Sequence, residues 1–238
     1  MNNMELRIAV AKVDKFGETK SGDTAEVTER PNGGLSVVLA DGKAFGVSNK
    51  AISTMVSHRV IGNISEGVRD GAAIRAASSR LFAEHNGDVQ SNLNVISADL
   101  QTDTILVSRN SPVPVFLITD GRVDCLTSES EPIGTRADIV PSIVELPIRP
   151  NMAVITFSDG IHRAGWQKVQ NLDICTAIEA FIEEEEPTAQ EIADYLLNQA
   201  IRLDEGQPKD DMSVVVMSVT PHSVDEIRRL NVSMNLNP

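Results

Sequence analysis

The apolar positions of this chain follow two periods, and the switches between them divide it into segments. Residues 6–13, 24–28 and 35–40 carry β-branched or alternating apolar residues. They predict three strands separated by the turn-forming stretches FGETKSGD and PNGG. The third, LSVVLA, is a continuous apolar run and suits a strand buried on both faces. After Asp41–Gly42 the period becomes helical. Phe45, Ile52, Met55, Val56 and Val60 predict a helix over about 44–61, and Val68, Ala72, Ala76 and Ala77 a second over about 65–84. Gly62–Asn63 is the expected break of an αα-hairpin.

Short strands return from residue 92 to 156: LNVISADL, TILVSRN, PVFLIT, pieces near 123–126 and 143–146, and MAVITF. Connections this short imply antiparallel meanders rather than βαβ crossovers. Two helical stripes follow, Leu172/Cys175/Ile178/Ile182 and Ile192/Leu196/Ala200/Leu203, the second opened by a capping box at Thr188 and Glu191. The glutamates at 183–186 read as a solvated helix end. MSVVVMSV closes the series as a last strand, with a polar tail after it. The order predicts an α+β fold of two packed antiparallel β-sheets flanked by helix pairs. With no repeat or composition break, one domain over 1–220 and a tail over 221–238 are expected.

Composition narrows the function. Aromatics are only 3%, too few for the stacking platforms of single-stranded nucleic-acid binders. A net charge of −13 without a compensating Lys/Arg cluster disfavours nucleic acid and anionic membranes as partners. No basic segment followed by a long apolar one opens the chain, and no run is long enough to cross a bilayer. Cys125 and Cys175 lie far apart without a CxxC, and the histidines are scattered, so neither a disulfide framework nor a zinc site is indicated. A cytoplasmic location follows as the expectation.

Four aspartates stand at strand ends: Asp23 in SGDT, Asp41 in LADG, Asp159 in FSDG and Asp210 in PKDDMSVVV. A DG pair after a strand is by itself usually a turn. Asp120–Gly121 in LITDGR is read that way. The ordered set of four is the signal. On these motifs the chain resembles the protein phosphatase 2C family of metal-dependent phosphatases over about residues 5–220, and looks most similar to its bacterial SpoIIE-like and RsbX-like branch.

The resemblance implies a protein serine/threonine phosphatase using two divalent ions, Mn²⁺ or Mg²⁺. Asp41 would bridge them, the Gly42 carbonyl would complete a shell, Asp159 and Asp210 would ligate, and Asp23 would support the site directly or through water. Asp211 matches a neighbouring, non-ligand position. Oxygen-only donors suit hard cations, and paired ions can aim an activated water directly at phosphorus without a covalent intermediate. The implied partner is a phosphorylated bacterial signalling or stress-regulation protein. A weakly active binding module and a small-molecule phosphoesterase are the alternatives. The chain departs from the family's D-G-x-G-x-G run at Ala44, where an easy positive φ is lost. It also carries Lys43, which could meet phosphate or solvent. His162 is a further candidate contact, with a non-catalytic role the expected one.

Overall fold

The computed structural model describes residues 4–44, 46–128, 130–168, 170–184, 186–221, 227 and 229–233. Ten strands form two five-stranded antiparallel sheets. One is ordered β1-β10-β9-β6-β7: β1 (Met4–Val13), β10 (Met212–Pro221), β9 (Met152–Phe157), β6 (Val115–Thr119) and β7 (Arg122–Leu126). The other is ordered β2-β3-β4-β5-β8: β2 (Asp23–Glu29), β3 (Gly34–Ala44), β4 (Val89–Asp99), β5 (Thr104–Asn110) and β8 (Ser142–Pro147). The sheets pack face to face, and helix pairs cover their outer faces. This is the expected α+β sandwich.

The alternation along β3 shows why the layers form. Val37 and Leu39 face the other sheet, among Ile96, Val107, Leu117, Val154 and Val215. Val38 and Ala40 point the opposite way, onto Ile52, Val56, Ile74 and Ala77 of α1 (Asn49–Ser65) and α2 (Asp70–His85). Both faces of the strand are therefore dry, which is why its sequence is continuously apolar. On the far side, Val214, Val216, Ile155 and Phe157 pack under α4 (Ile174–Glu184) and α5 (Ala189–Leu203). The capping box opens α5 as expected, Thr188 accepting from the Glu191 amide and Glu191 accepting from the Thr188 amide at 2.7 Å.

Three features differ from the sequence reading. The first helix begins at Asn49 rather than near Ala44, because β3 runs on to Ala44, paired with Val89. Ser48 caps the new start, accepting from the Ala51 amide. Phe45, assigned above to that helix, lies outside the described residues. The helix also continues through Gly62–Asn63 and stops at Glu66, just before Gly67 in a left-handed conformation. Finally, a single helical turn, α3 (Asp159–His162), follows β9 directly; four residues are too few for any periodicity to announce it. Of the predicted tail, residue 221 ends β10, and 222–226, 228 and 234–238 lie outside the described residues. Among the described residues no helix is long and apolar enough to cross a membrane.

Candidate metal centre

Register between strands brings the acidic residues together. Asp23, the first residue of β2, lies directly opposite Asp41 in β3, and Asp41 in turn lies opposite Asn92 in β4. Asp159 enters from the other sheet, at the junction of β9 and α3, and Asp210 from the loop leading into β10. The field of each aspartate reaches the next: Asp23 and Asp159 both act on Asp41, and Asp159 acts on Asp210. Strand ends from both sheets, with the loop before β10, thus mount all four side chains around one end of the sandwich.

Each carboxylate has a distinct environment. Asp41 is buried. Its Oδ2 accepts from the Asn92 amide at 2.9 Å, while its backbone carbonyl accepts from Ser91 Oγ at 2.9 Å. Asp23 is also buried, and its Oδ2 has no hydrogen-bond partner. Asp159 Oδ2 accepts from the Lys43 ammonium and lies 3.1 Å from Arg163 Nη1, one turn along the chain. The same ammonium stands 3.6 Å from Asp41 Oδ2. Asp210 lines a cavity of about 210 Å³ with Gly160, Arg163 and Trp166.

The two neighbours 210 and 211 separate by use. Both Asp211 oxygens are committed to backbone, accepting from the Gly22 amide at 2.7 Å and the Lys15 amide at 3.0 Å. Asp211 therefore tethers the loop that delivers Asp23. Asp210 Oδ1 accepts only from the Asp211 amide, at 3.0 Å, leaving the carboxylate available.

The three DG pairs also separate. A Cβ on Gly42 would stand 2.2 Å from the Asn49 carbonyl oxygen, and one on Gly160 2.1 Å from that of Asp211. Neither glycine has a positive φ, so both are required by close approach of backbone. Gly42 lets α1 start against β3; Gly160 lets α3 sit against the strand entering β10. At Asp120–Gly121 the φ values are +51° and +71° and nothing crowds the glycine, which is the hairpin turn that was expected. Ala44 sits in extended backbone, so the departure there carries no strain.

Burial pushes Asp41 up to about 8, with the Asp23 and Asp159 charges adding to it and Lys43 and Asn92 opposing. Burial likewise pushes Asp23 up to about 7, opposed by Ser213, Ser158 and Lys12 and reinforced by Asp211. Burial and the Asp159 charge raise Asp210. One ammonium therefore does not offset the carboxylate charge gathered here. Among the described residues no three acidic, His or Cys side chains already close on one point as a metal cage. The donor set nonetheless fits divalent cations: oxygen ligands only, an orphaned Asp23 oxygen, and a side-chain cation standing between Asp41 and Asp159.

A pH dependence follows. Asp23 and Asp41 have folded-state values above the ordinary 3.8, so the folded chain keeps protons that the unfolded chain has released. The stability this confers is complete below the unfolded value and is lost as pH rises through about 7 and about 8. In EDTA the melting temperature should fall across that window, and Asp41→Asn should flatten the fall. A flat profile in the parent protein contradicts the crowding of these carboxylates.

Two contributors, Asn92 and Arg163, escaped the sequence reading. Asn92 carries no motif. Arg163 lies four residues after Asp159, a spacing that meets only once α3 exists. Lys43 points into the carboxylates, its ammonium between Asp41 and Asp159. His162 packs edge-on against Trp166, with ring centroids 5.9 Å apart, and burial and Arg163 lower its pKa.

Comparison with known proteins gives this arrangement a context. Residues 31–220 match the family model of Stage II sporulation protein E (SpoIIE). The Stage II sporulation protein E of Priestia megaterium is 25% identical over 208 residues, covering 87% of this chain but 35% of that protein. The chain thus spans about a third of that relative's length. Among solved structures, the PP2C phosphatase domain of SpoIIE from Bacillus subtilis, with a fragment of its regulatory domain, superposes with a TM-score of 0.78 at 24% identity. It covers 94% of this chain and 66% of that one. The catalytic domain of the serine/threonine phosphatase PstP, in complex with 2 manganese ions, superposes at 0.67 with 16% identity, over 92% of this chain and 100% of that one.

Proposed function

The chain belongs to the SpoIIE family, and from that premise we propose that it is a metal-dependent phosphatase hydrolysing phosphoserine or phosphothreonine in a partner protein, with residues 1–220 as its catalytic unit. The observation that carries this reading is the meeting of Asp41 and Asp159, from different sheets, on one side-chain cation. Such a meeting of carboxylates is a costly thing to build unless a cation of higher charge uses it.

Asp41, the Gly42 carbonyl, Asp159 and Asp210 would hold two ions, Mn²⁺ or Mg²⁺, with Asp23 supporting them directly or through water. When bound, the ions supply charge neutralisation and an activated water for attack at phosphorus. The remaining residues orient. Asn92 fixes the Asp41 carboxylate by its 2.9 Å hydrogen bond, and Asp211 holds the loop carrying Asp23. Arg163, bound to Asp159 from the C-cap of α3, keeps positive charge at the rim where a phosphate dianion would arrive. A phosphoprotein is favoured over a metabolite because the cavity beside Asp210, about 210 Å³, is below the usual size of small-molecule pockets.

Hydrolysis of p-nitrophenyl phosphate is expected with Mn²⁺ and absent in EDTA, and phosphoproteins should turn over faster than phosphorylated metabolites. Hydrolysis indifferent to Mn²⁺ would sink the metal reading. Preference for metabolites would favour the phosphoesterase instead.

A further inference from the structure

Lys43 occupies a position that its sequence neighbours prepare. It lies two residues after Asp41 in β3, so both side chains leave the same face of the strand. The ammonium donates to Asp159 Oδ2 and stands 3.6 Å from Asp41 Oδ2. The Asp159 side chain is only 5% exposed, and that of Lys43 30%. The lysine is therefore partly drawn in, with its charged end between two aspartates of different sheets. Arg163 adds a second cation to the same Asp159 oxygen, at 3.1 Å.

We propose that Lys43 is a tethered cation that pairs Asp41 with Asp159 whenever no divalent ion is bound, so that metal loading is an exchange in which the ion displaces the ammonium. This rests on the metal-centre reading above. The exchange follows from electrostatics and space. Two buried carboxylates that face each other need a counter-charge, and Lys43 supplies one without any ligand. The oxygens it engages are those a metal would need, so both cannot be bound in the same place. Metal then binds only the fraction of molecules whose lysine has swung out, and its apparent affinity is lowered by that fraction. The protein gains a metal-free state that holds its two sheets in register, at the cost of a higher metal threshold.

Lys43→Met tests this because it moves two measurements in opposite directions. Calorimetric titration with Mn²⁺ should show binding tightened on the order of tenfold. Thermal melting in EDTA should show the variant less stable than the parent. Lys50→Met is the control. Lys50 is another cation beside the site, but it donates to the Asp23 backbone carbonyl at 2.8 Å rather than to a carboxylate of the cluster. It should change Mn²⁺ affinity by less than about threefold.

A second readout comes from Trp166, the single tryptophan, which Arg163 overlies at 5.8 Å. Its emission should shift on Mg²⁺ addition at lower concentration in Lys43→Met than in the parent. Equal affinity in parent and Lys43→Met, equal shifts for both lysine variants, or an EDTA-state variant as stable as the parent would each overturn the exchange. Absence of Mn²⁺ binding in every protein would overturn the metal reading and the exchange together.

Discussion

Asp41→Asn and Asp159→Asn are each expected to lose Mn²⁺-dependent p-nitrophenyl phosphate hydrolysis by at least about 100-fold, a floor set by what loss of mere supporting contacts costs metal sites. The two substitutions should nonetheless leave the fold intact. Asn has the volume of Asp, and in Asp41→Asn the side-chain carbonyl oxygen can still accept from Asn92, which lies opposite in β4. In EDTA the Asp41→Asn protein should match the parent only at about pH 4 and below, and become progressively more stable than it as pH rises toward about 8. The substitution removes a carboxylate that burial, Asp23 and Asp159 hold in an unfavourable charge state. Activity and metal-free stability therefore move apart. Parallel loss of both, measured by initial rate and by thermal melting, would mean that Asp41 is a structural residue. Retained activity in either variant would remove these aspartates from the chemistry.

The largest effects on stability are expected at the two crowded glycines. At Gly42 an alanine Cβ would meet the Asn49 carbonyl oxygen at 2.2 Å, and at Gly160 that of Asp211 at 2.1 Å. Both obstacles are backbone and cannot rotate away, so α1 or the strand entering β10 must shift. Each of Gly42→Ala and Gly160→Ala should cost about 3 kcal/mol or more in urea unfolding. Each should also weaken Mn²⁺ binding, because the displaced backbone carries a site residue's neighbour. Gly121→Ala is the comparison: its φ of +71° with open space around it predicts only about 1–2 kcal/mol and no effect on metal. Similar losses at all three positions would show that the DG pairs share one turn-forming role.

Much of this fold is legible in the residues themselves. Strand alternation depends on which faces are dry, and the continuous run LSVVLA reports both faces of β3 at once. β5 and β9 begin and end where TILVSRN and MAVITF do. Helix boundaries were less legible. The strand β3 extends to Ala44 only because Val89 pairs with it, and Gly62 is tolerated inside α1 because the helix packs on the sheet. Local sequence carries neither partner.

The candidate site divides in the same way. The order of the four aspartates and their places at strand ends could be read directly, since strand termini are punctuated locally by glycine and by the end of apolar runs. Register between strands could not. It sets Asp23 across from Asp41, gives Asp41 its Asn92, and lets β9 and α3 bring Asp159 to the Lys43 ammonium. Similarly, one Asp–Gly spelling serves two purposes, a left-handed turn at 120–121 and close backbone approach at 41–42 and 159–160. Periodicity is a property of neighbours along the chain, so the sequence determined the layers and the candidate carboxylates. Convergence is a property of residues that meet only when both sheets close, so the tertiary structure alone decided which oxygens are free, which are tethered, and which cation stands among them.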